Sequence, residues 1–324
     1  MNPRFLLSFL LAGLLPAAQA AQKDDYPSRP IRMIVPFAPG GASDTVGRII
    51  QPAMEELLKQ RVVVDNRGGA AGNIGVEIAV RASPDGYNFL LGNIGTMAIN
   101  PVYYVKFPYR PLKDLVAVSQ VVDVPGCVVV HPSVPAKSVK ELVAHLKANP
   151  GKLNYGAPAP SSANNLETIQ FLNATGTKAE QIAYKGGAGP AMIGLLGGEV
   201  QMMFVTFSSA VNHAKAGKVR MLGVVSAARN PAYPEIPTMR EQGLDMVVGS
   251  WQGVFVPAGT PKPVVDKLFK VSHDMMKDSN VVKRLGDQGI EIVTSKSPAD
   301  FRAFVKAETD RFGRVIKDNN IPTE

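Results

Sequence analysis

Three loops of the sequence combine glycine with hydroxyl or amide side chains, and each follows an apolar run typical of a β-strand. They are Pro39–Asp44, Gly92–Thr96 and Gly156–Ser162. Glycine lets the backbone turn tightly and brings its N–H groups close to a bound group. The start of a helix adds unpaired N–H donors and a partial positive charge. The loops therefore predict a site for an anion, and the adjacent hydroxyls of Ser161 and Ser162 suit a carboxylate.

Each loop also has an interpretation that needs no ligand. Ser43 or Asp44 suits the N-cap position of the helix that follows, and one of the two serines of the third loop suits the same role at its own helix. The second loop also fits a plain strand-to-helix connection. A fourth polar turn, Tyr184–Gly187, carries Lys185, which could pair with an acid or point into solvent. The residue pattern leaves both interpretations open.

The motifs of common enzyme and nucleotide sites are missing from the sequence. It has no GxSxG, HExxH or paired-cysteine pattern, and the glycines of the first loop match neither GxGxxG nor a P-loop. The four histidines are isolated, and the one cysteine, Cys127, lies in an apolar run typical of a buried residue. We therefore expect no catalytic residues, no metal site and no cofactor.

The net charge of +8 is spread along the chain. Lysines and arginines form no long block, and the aromatic residues, 7% of the chain, do not alternate with basic ones. This distribution argues against nucleic-acid binding, whereas a positive field would attract an anionic solute.

The loops are positioned by predicted strands that alternate with predicted helices. Apolar residues spaced three and four apart indicate amphipathic helices, for example over Val46–Leu57, where Pro52 is expected to kink or break the helix. Strands that alternate with helices predict an α/β protein with mainly parallel sheets. The predicted strands are Ile31–Val35, Val62–Asp65, Asn88–Gly92, Val116–Val122, Cys127–Val130, Leu153–Gly156, Gln181–Ala183, Val200–Val205, Val219–Val225 and Val254–Val256.

One β-forming segment is unusually long. Val116–Val130 is about three times the length of an ordinary strand and is interrupted only at Asp123–Gly126. A strand of this length can leave one sheet and enter another, and Val219–Val225 is a candidate for the return. The pattern predicts one lobe formed by residues 26–124 plus 227–324 and a second lobe formed by residues 125–226.

The N-terminus has the features of a secretory signal peptide. The short apolar run Phe5–Pro16 follows Arg4 and leads to a small-residue site at Ala18–Ala20. The run is too short for a permanent membrane helix, although it also fits an N-terminal helix of the fold. We expect cleavage near Ala20, so that residues 1–20 are removed and the rest of the chain is exported.

Six short motifs follow one another along the chain: Tyr26–Gly41, Val64–Gly72, Pro84–Tyr87, Tyr184–Gly186, Pro237–Thr238 and Val256–Pro261. In this order they resemble the Bug-type substrate-binding proteins of tripartite tricarboxylate transporters. The resemblance implies a periplasmic protein with a two-lobed Venus-flytrap fold, in which two crossover strands join the lobes around a central ligand cleft. It also implies capture of a small carboxylate, such as a di- or tricarboxylate or an aromatic or aliphatic acid, for the membrane subunits of a transporter.

We expect such a protein to act as a monomer. The alternative function, which the sequence does not separate from transport, is a sensor that presents its ligand to a membrane two-component kinase.

The resemblance also implies which residues contact the ligand. Many members of the family have an acidic residue near the position of Val205, and its absence argues against an amine in the ligand. Together with Phe204 and Phe207, Val205 favours an apolar wall and hence an acid with an apolar body, although Phe204 also suits a purely core role. The implied contacts are Phe37, Gly40, Gly41, Ser43, Asn93, Gly95, Thr96, Ala157, Ser161, Ser162, Tyr184, Lys185 and Val205.

Overall fold

The computed structural model describes residues 26–157, 161–184, 187–226, 228–230, 232–246, 249–319 and 321–323. The expected signal peptide, residues 1–20, and Lys185 lie outside these ranges. No helix within them is long and apolar enough to cross a membrane.

The described chain alternates strands with helices, as the sequence predicts. The strands are β1 (Ile31–Val35), β2 (Val62–Asn66), β3 (Asn88–Asn93), β4 (Leu115–Val130), β5 (Asn154–Ala157), β6 (Glu180–Ala183), β7 (Met202–Thr206), β8 (Arg220–Val225), β9 (Gly249–Pro257) and β10 (Glu291–Ile292). The α-helices are α1 (Ala42–Leu58), α2 (Asn73–Val80), α3 (Asn100–Tyr103), α4 (Pro111–Asp114), α5 (Val139–Ala148), α6 (Ala163–Thr175), α7 (Ala188–Leu196), α8 (Phe207–Lys215), α9 (Lys262–Asp274), α10 (Ser279–Asp287) and α11 (Pro298–Asp318). Shorter helical turns lie at Ala70–Gly72, Gly95–Ile99, Arg240–Gln242 and Met275–Lys277.

Strand β4 connects two sheets. Its first part, Leu115–Pro125, pairs with β9, and its last part, Gly126–Val130, pairs with both β7 and β8. The first sheet has the order β2-β1-β3-β9-β4 and the second has the order β4-β7-β5-β6, while β10 and β8 pair with β4 outside this path. The predicted transfer of one long strand between two sheets is confirmed.

The strand pairing differs from expectation around β4. The pairs β1–β2, β1–β3, β5–β6 and β5–β7 are parallel, but the described pairs that contain β4 or β9 are antiparallel. The prediction of mainly parallel sheets is therefore wrong here, because the chain comes back beside β4 in the opposite direction. The expected return strand corresponds to β8, which pairs in the second sheet, and the chain rejoins the first sheet at β9.

The expected interruption of the long strand at Asp123–Gly126 is absent. Asp123 pairs with Trp251 on one side and with Glu291 on the other, and Gly126 already pairs within the second sheet. The change from one sheet to the other therefore takes place inside a continuous strand.

Helix α1 shows how the sequence positions a loop. Val46, Ile50 and Met54 are fully buried in one apolar cluster with the first sheet, and burying a side chain of this size contributes about 1.5–3 kcal/mol. The helix continues through Pro52, so the proline removes one N–H donor without ending the helix. The packed face of α1 holds the start of the helix, and the loop before it, at the end of β1.

Candidate functional site

A cavity of about 490 Å³ lies where loops from the two sheets meet. On the side of the first sheet it is lined by residues that follow β1 and β3 and by the turn before α2. On the side of the second sheet it is lined by residues before α6 and after β6 and β7. The described lining residues include none with a charged side chain. They are Phe37, Ala38, Gly41, Ala42, Ser43, Gly69, Ala70, Ala71, Gly72, Asn93, Ile94, Gly95, Asn100, Tyr104, Ser161, Ser162, Ala163, Asn164, Ala183, Tyr184, Gly187, Ala188, Thr206 and Ser250.

Helices α1, α6, α7 and α8 begin at this cavity. Helix α6 is capped by Ser162, whose hydroxyl accepts a hydrogen bond from the N–H of Asn165 at 3.2 Å. The N-cap residues of α1, α7 and α8 are Gly41, Gly187 and Thr206, and they make no such side-chain bond. The first-turn N–H groups of these three helices therefore keep donor capacity for an anion.

The first glycine loop is held in place by Asp44. Its carboxylate accepts a hydrogen bond from the N–H of Gly40 at 3.0 Å and pairs with Arg48 at 2.9 Å. Neither Ser43 nor Asp44 caps α1, so the capping interpretation of these residues does not apply. Gly40 does not line the cavity; its φ of 91° favours glycine, and it shapes the turn that places Gly41 at the cavity wall.

The second loop presents Asn93 to the cavity. Its side-chain oxygen accepts hydrogen bonds from the backbone N–H and the hydroxyl of Thr96, both at 3.1 Å. Because the oxygen is engaged, the amide Nδ2 of Asn93 is the end that can donate to a ligand. Thr96 is fully buried and does not line the cavity, so it orients Asn93, while Gly95 lines the wall beside it.

The second sheet supplies Ser161, Ser162 and Tyr184 to the cavity. The hydroxyl of Tyr184 donates to Glu199 at 3.0 Å; burial and this carboxylate raise the pKa of Tyr184, so the phenol stays protonated. Ala157 is fully buried at the end of β5 and does not line the cavity.

Val205 does not line the cavity either. It is fully buried beside Cys127, which is itself buried as the sequence predicts, in an apolar cluster with α7 and α8. The next residue along the strand, Thr206, reaches the cavity instead. The apolar surface of the site comes mainly from other residues, among them Phe37 and Ile94. Contact with a ligand stays a prediction for each residue named from the sequence.

The turn at Gly69–Gly72 lines the cavity although the sequence reasoning does not select it as a site. Ala70 and Ala71 have left-handed φ angles of 46° and 54°, which cost an L-residue about 1–2 kcal/mol each. Gly72 also has a positive φ, and a Cβ there would lie 2.6 Å from Thr96. The glycine-rich run 68–72 is the sequence feature that could have indicated this turn as part of the site. Asn100, Tyr104, Asn164 and Ser250 carry no comparable sequence signal.

A buried carboxyl group, that of Glu167, and a partly buried one, that of Asp123, lie beside the site. Glu167 on α6 accepts a hydrogen bond from the Nδ2 of Asn164, a cavity residue, at 3.2 Å, and burial raises the pKa of Glu167 to about 8. Burial, with Glu291 and Glu308 nearby, raises the pKa of Asp123 to about 6.

Nearby charges also act on these two carboxyl groups. The Asp123 carboxylate raises the pKa of Glu167, while Arg311 on α11 lowers both pKa values. Arg311 is itself paired with Glu308 at 2.7 Å. The carboxylate of Glu167 lies against Gly126, at which an added Cβ would be 2.9 Å from both of its oxygens.

Comparison with known proteins identifies the fold and its family. Residues 46–321 match the model of the tripartite tricarboxylate transporter family receptor, TctC. The chain belongs to this family. The match confirms the resemblance of the six motifs, and it makes the protein a solute-binding protein of the TctC family rather than an enzyme.

Solved structures of the TctC family have the same fold. The periplasmic binding protein BugD is 35% identical with a TM-score of 0.88, over 92% of this chain and 100% of its own. R. palustris Rpa4515 with adipate is 31% identical with a TM-score of 0.88, over 92% and 99%. MatC (Rpa3494) from Rhodopseudomonas palustris with bound malate is 30% identical with a TM-score of 0.84, over 90% and 100%. The α/β fold of a two-lobed periplasmic binding protein is confirmed.

Proposed function

We propose that the protein captures a small carboxylate in the periplasm and delivers it to the membrane subunits of a tripartite tricarboxylate transporter. The observation that carries this proposal is the set of three helix starts without side-chain caps at a cavity whose described lining has no charged side chain. Such a site holds a carboxylate by N–H and hydroxyl groups. The structures of Rpa4515 with adipate and of MatC with bound malate support the same ligand class.

The lining also indicates what the rest of the ligand looks like. An ammonium group would find no carboxylate among the described lining residues, and burying it without one is costly. Phe37, Ile94 and the alanines of the turn at 70–71 offer apolar surface. We therefore favour an acid without an amine and with an apolar body, of a size that fits a cavity of about 490 Å³.

Capture proceeds by closure of two lobes, residues 26–124 plus 227–324 and residues 125–226, about the strands that connect the sheets. The precursor loses residues 1–20 on export, and the mature chain acts as a monomer. Closure brings loops of both lobes onto the ligand, and ordered waters complete the contacts.

Isothermal calorimetry tests the ligand class. The mature protein, freed of bound ligand by unfolding and refolding, is titrated with adipate, malate and benzoate, and with a diamine and a sugar as contrasts. At least one acid is expected to bind and the contrasts are not. Binding of the diamine or the sugar, with no acid bound, would refute the proposal.

A pair of variants tests the position of the site. Asn93→Ala removes the Nδ2 donor of the second loop, and it is expected to weaken acid binding about threefold to tenfold. Asn280→Ala, at an exposed position of α10, is the matched control and is expected to bind as the unmodified protein does. Equal affinities of the two variants would place the acid elsewhere.

A further inference from the structure

One buried hydrogen bond joins the two sides of the cavity directly. The hydroxyl of Ser161 donates to Oδ1 of Asn100 at 2.8 Å. Ser161 precedes α6 on the side of the second sheet, and Asn100 begins α3 on the side of the first. Both are buried. The bond therefore exists only while the two sides are together.

The proton of Ser161 cannot serve two acceptors. A serine hydroxyl has one proton and two lone pairs, and the proton is committed to Asn100. The phenol oxygen of Tyr104, also on the side of the first sheet, lies 3.2 Å from the same hydroxyl. While these contacts persist, Ser161 has no proton to donate to a carboxylate, although it lines the cavity.

Asn100 is held rigidly in the orientation that this bond needs. Its Nδ2 donates to the carbonyl of Ala71 at 3.0 Å and to Oδ1 of Asn73 at 2.7 Å. The phenol of Tyr109 lies 3.0 Å from Oδ1 of Asn73 and 3.0 Å from the carbonyl of Thr96. With Nδ2 facing two acceptors, Oδ1 must face Ser161. The network fixes the acceptor before the two sides meet, so little ordering is needed to form the bond.

We propose that Ser161 and Asn100 form a latch that stabilises the closed arrangement of the two halves, and that Ser161 acts through this latch and not as a donor to the ligand. The latch rests on the proposed function, because it matters only in a protein that opens and closes. Asn100 and Ser161 are thus positioning residues. A buried hydrogen bond of this kind is expected to favour closure about threefold to tenfold.

Distances between two spin labels measure closure without a ligand. Cysteines replace Glu56 on α1 and Lys147 on α5, which are exposed, and the one native cysteine, Cys127, is buried and does not compete for the label. The distance distribution is recorded for Ser161→Ala, for Asn100→Ala and for both together. Thr168→Val is the matched control, because its hydroxyl bonds to the carbonyl of Asn164 within α6 at 2.8 Å.

The latch predicts that each single substitution lowers the ratio of short to long label distances about threefold to tenfold. Ser161→Ala should then have a much smaller effect in the Asn100→Ala background, where only the Tyr104 phenol at 3.2 Å is left as a partner across the cavity. Thr168→Val should leave the distribution unchanged.

Binding of adipate, malate and benzoate to the same variants separates the latch from direct contact. For any of these acids that binds, the latch predicts that Ser161→Ala weakens binding much more when Asn100 is present than when it is replaced by alanine. Unchanged label distances, or an equal weakening of binding by Ser161→Ala in both backgrounds, would overturn it. If none of the three acids binds while the distances shift as expected, the latch stands and the proposed function fails.

Discussion

Replacing Glu167 by glutamine measures the cost of a carboxyl group inside the protein. Glu167 is 1% exposed, and burial raises its pKa from 4.5 to about 8. The folded state therefore holds this proton more tightly than the unfolded chain does. As the pH rises from 4.5 to about 8, the group lowers the free energy of unfolding by about 1.4 kcal/mol per pH unit. Below this window it contributes nothing, and above it the loss is complete.

At pH 7 the expected loss from Glu167 is about 3 kcal/mol. Glutamine is neutral at every pH, has nearly the same shape, and keeps an oxygen to accept the hydrogen bond from Asn164. Glu167→Gln is therefore expected to unfold with the same free energy as the unmodified protein near pH 4.5, and with about 3 kcal/mol more at pH 7.

Urea unfolding at several pH values between 4.5 and 8 provides the measurement, with midpoint and slope fitted at each. Glu56→Gln, at an exposed position of α1, is the control and should match the unmodified protein throughout. Burial also raises the pKa of Asp123 to about 6, so a shallower dependence should persist in Glu167→Gln until Asp123→Asn is added. A stability difference that does not change with pH, or that shrinks as pH rises, would refute the reasoning.

Three further substitutions test the loops of the site. Ala71→Gly relieves a left-handed φ of 54°, and the relief of about 1–2 kcal/mol exceeds the entropy cost of about 0.4–1 kcal/mol. The midpoint temperature of thermal unfolding should therefore rise. Ala79→Gly, inside α2, is the control and should lower this temperature. Gly72→Ala would place a Cβ 2.6 Å from Thr96, and a loss of about 1–3 kcal/mol in the free energy of unfolding is expected. Asp44→Ala frees the first glycine loop and should weaken adipate binding about fivefold, by the loss of about 1 kcal/mol, in calorimetry; unchanged affinity would show that the loop needs no anchor.

The sequence predicts the strands well because most of them are short β-branched runs bounded by turns. The long run Val116–Val130 correctly indicates a strand shared by two sheets. An interruption is expected at Asp123–Gly126 because polar and glycine residues usually end a strand, but this expectation is wrong. Here the carboxylate of Asp123 lies over Gly249, where a Cβ would be 2.3 Å away, so the missing side chain of the partner strand accommodates it.

Pair direction is hard to predict because it depends on partners far apart in the sequence. Strand β4 pairs with β9, and Asp123 meets Trp251 across that ladder. The pattern of strands alternating with helices indicates parallel sheets only where each helix returns the chain to the same edge. It holds for the pairs among β1, β2 and β3 and among β5, β6 and β7, and it fails for the pairs that contain β4 or β9.

The roles of single residues in the candidate site are also hard to predict, because they depend on strand orientation and on distant partners. Successive side chains of a strand face opposite sides, so Val205 packs in the core while Thr206 reaches the cavity. The glycine loops are visible in the sequence because their residue types are unusual. Asn100 is not, because its role depends on Ser161, which is 61 residues away.

The buried acid and the cavity meet at the place where β4 changes sheets. Asn164 lines the cavity and donates to Glu167, whose carboxylate lies against Gly126. Gly126 pairs with the second sheet, whereas Pro125 still pairs with the first. Asp123, whose charge acts on Glu167, pairs with the first sheet, so a movement of one sheet against the other about this strand changes the surroundings of Glu167. A buried carboxyl group is far costlier when ionised than when protonated. Glu167 and Asp123, which make stability depend on pH, can therefore also favour one arrangement of the sheets over another.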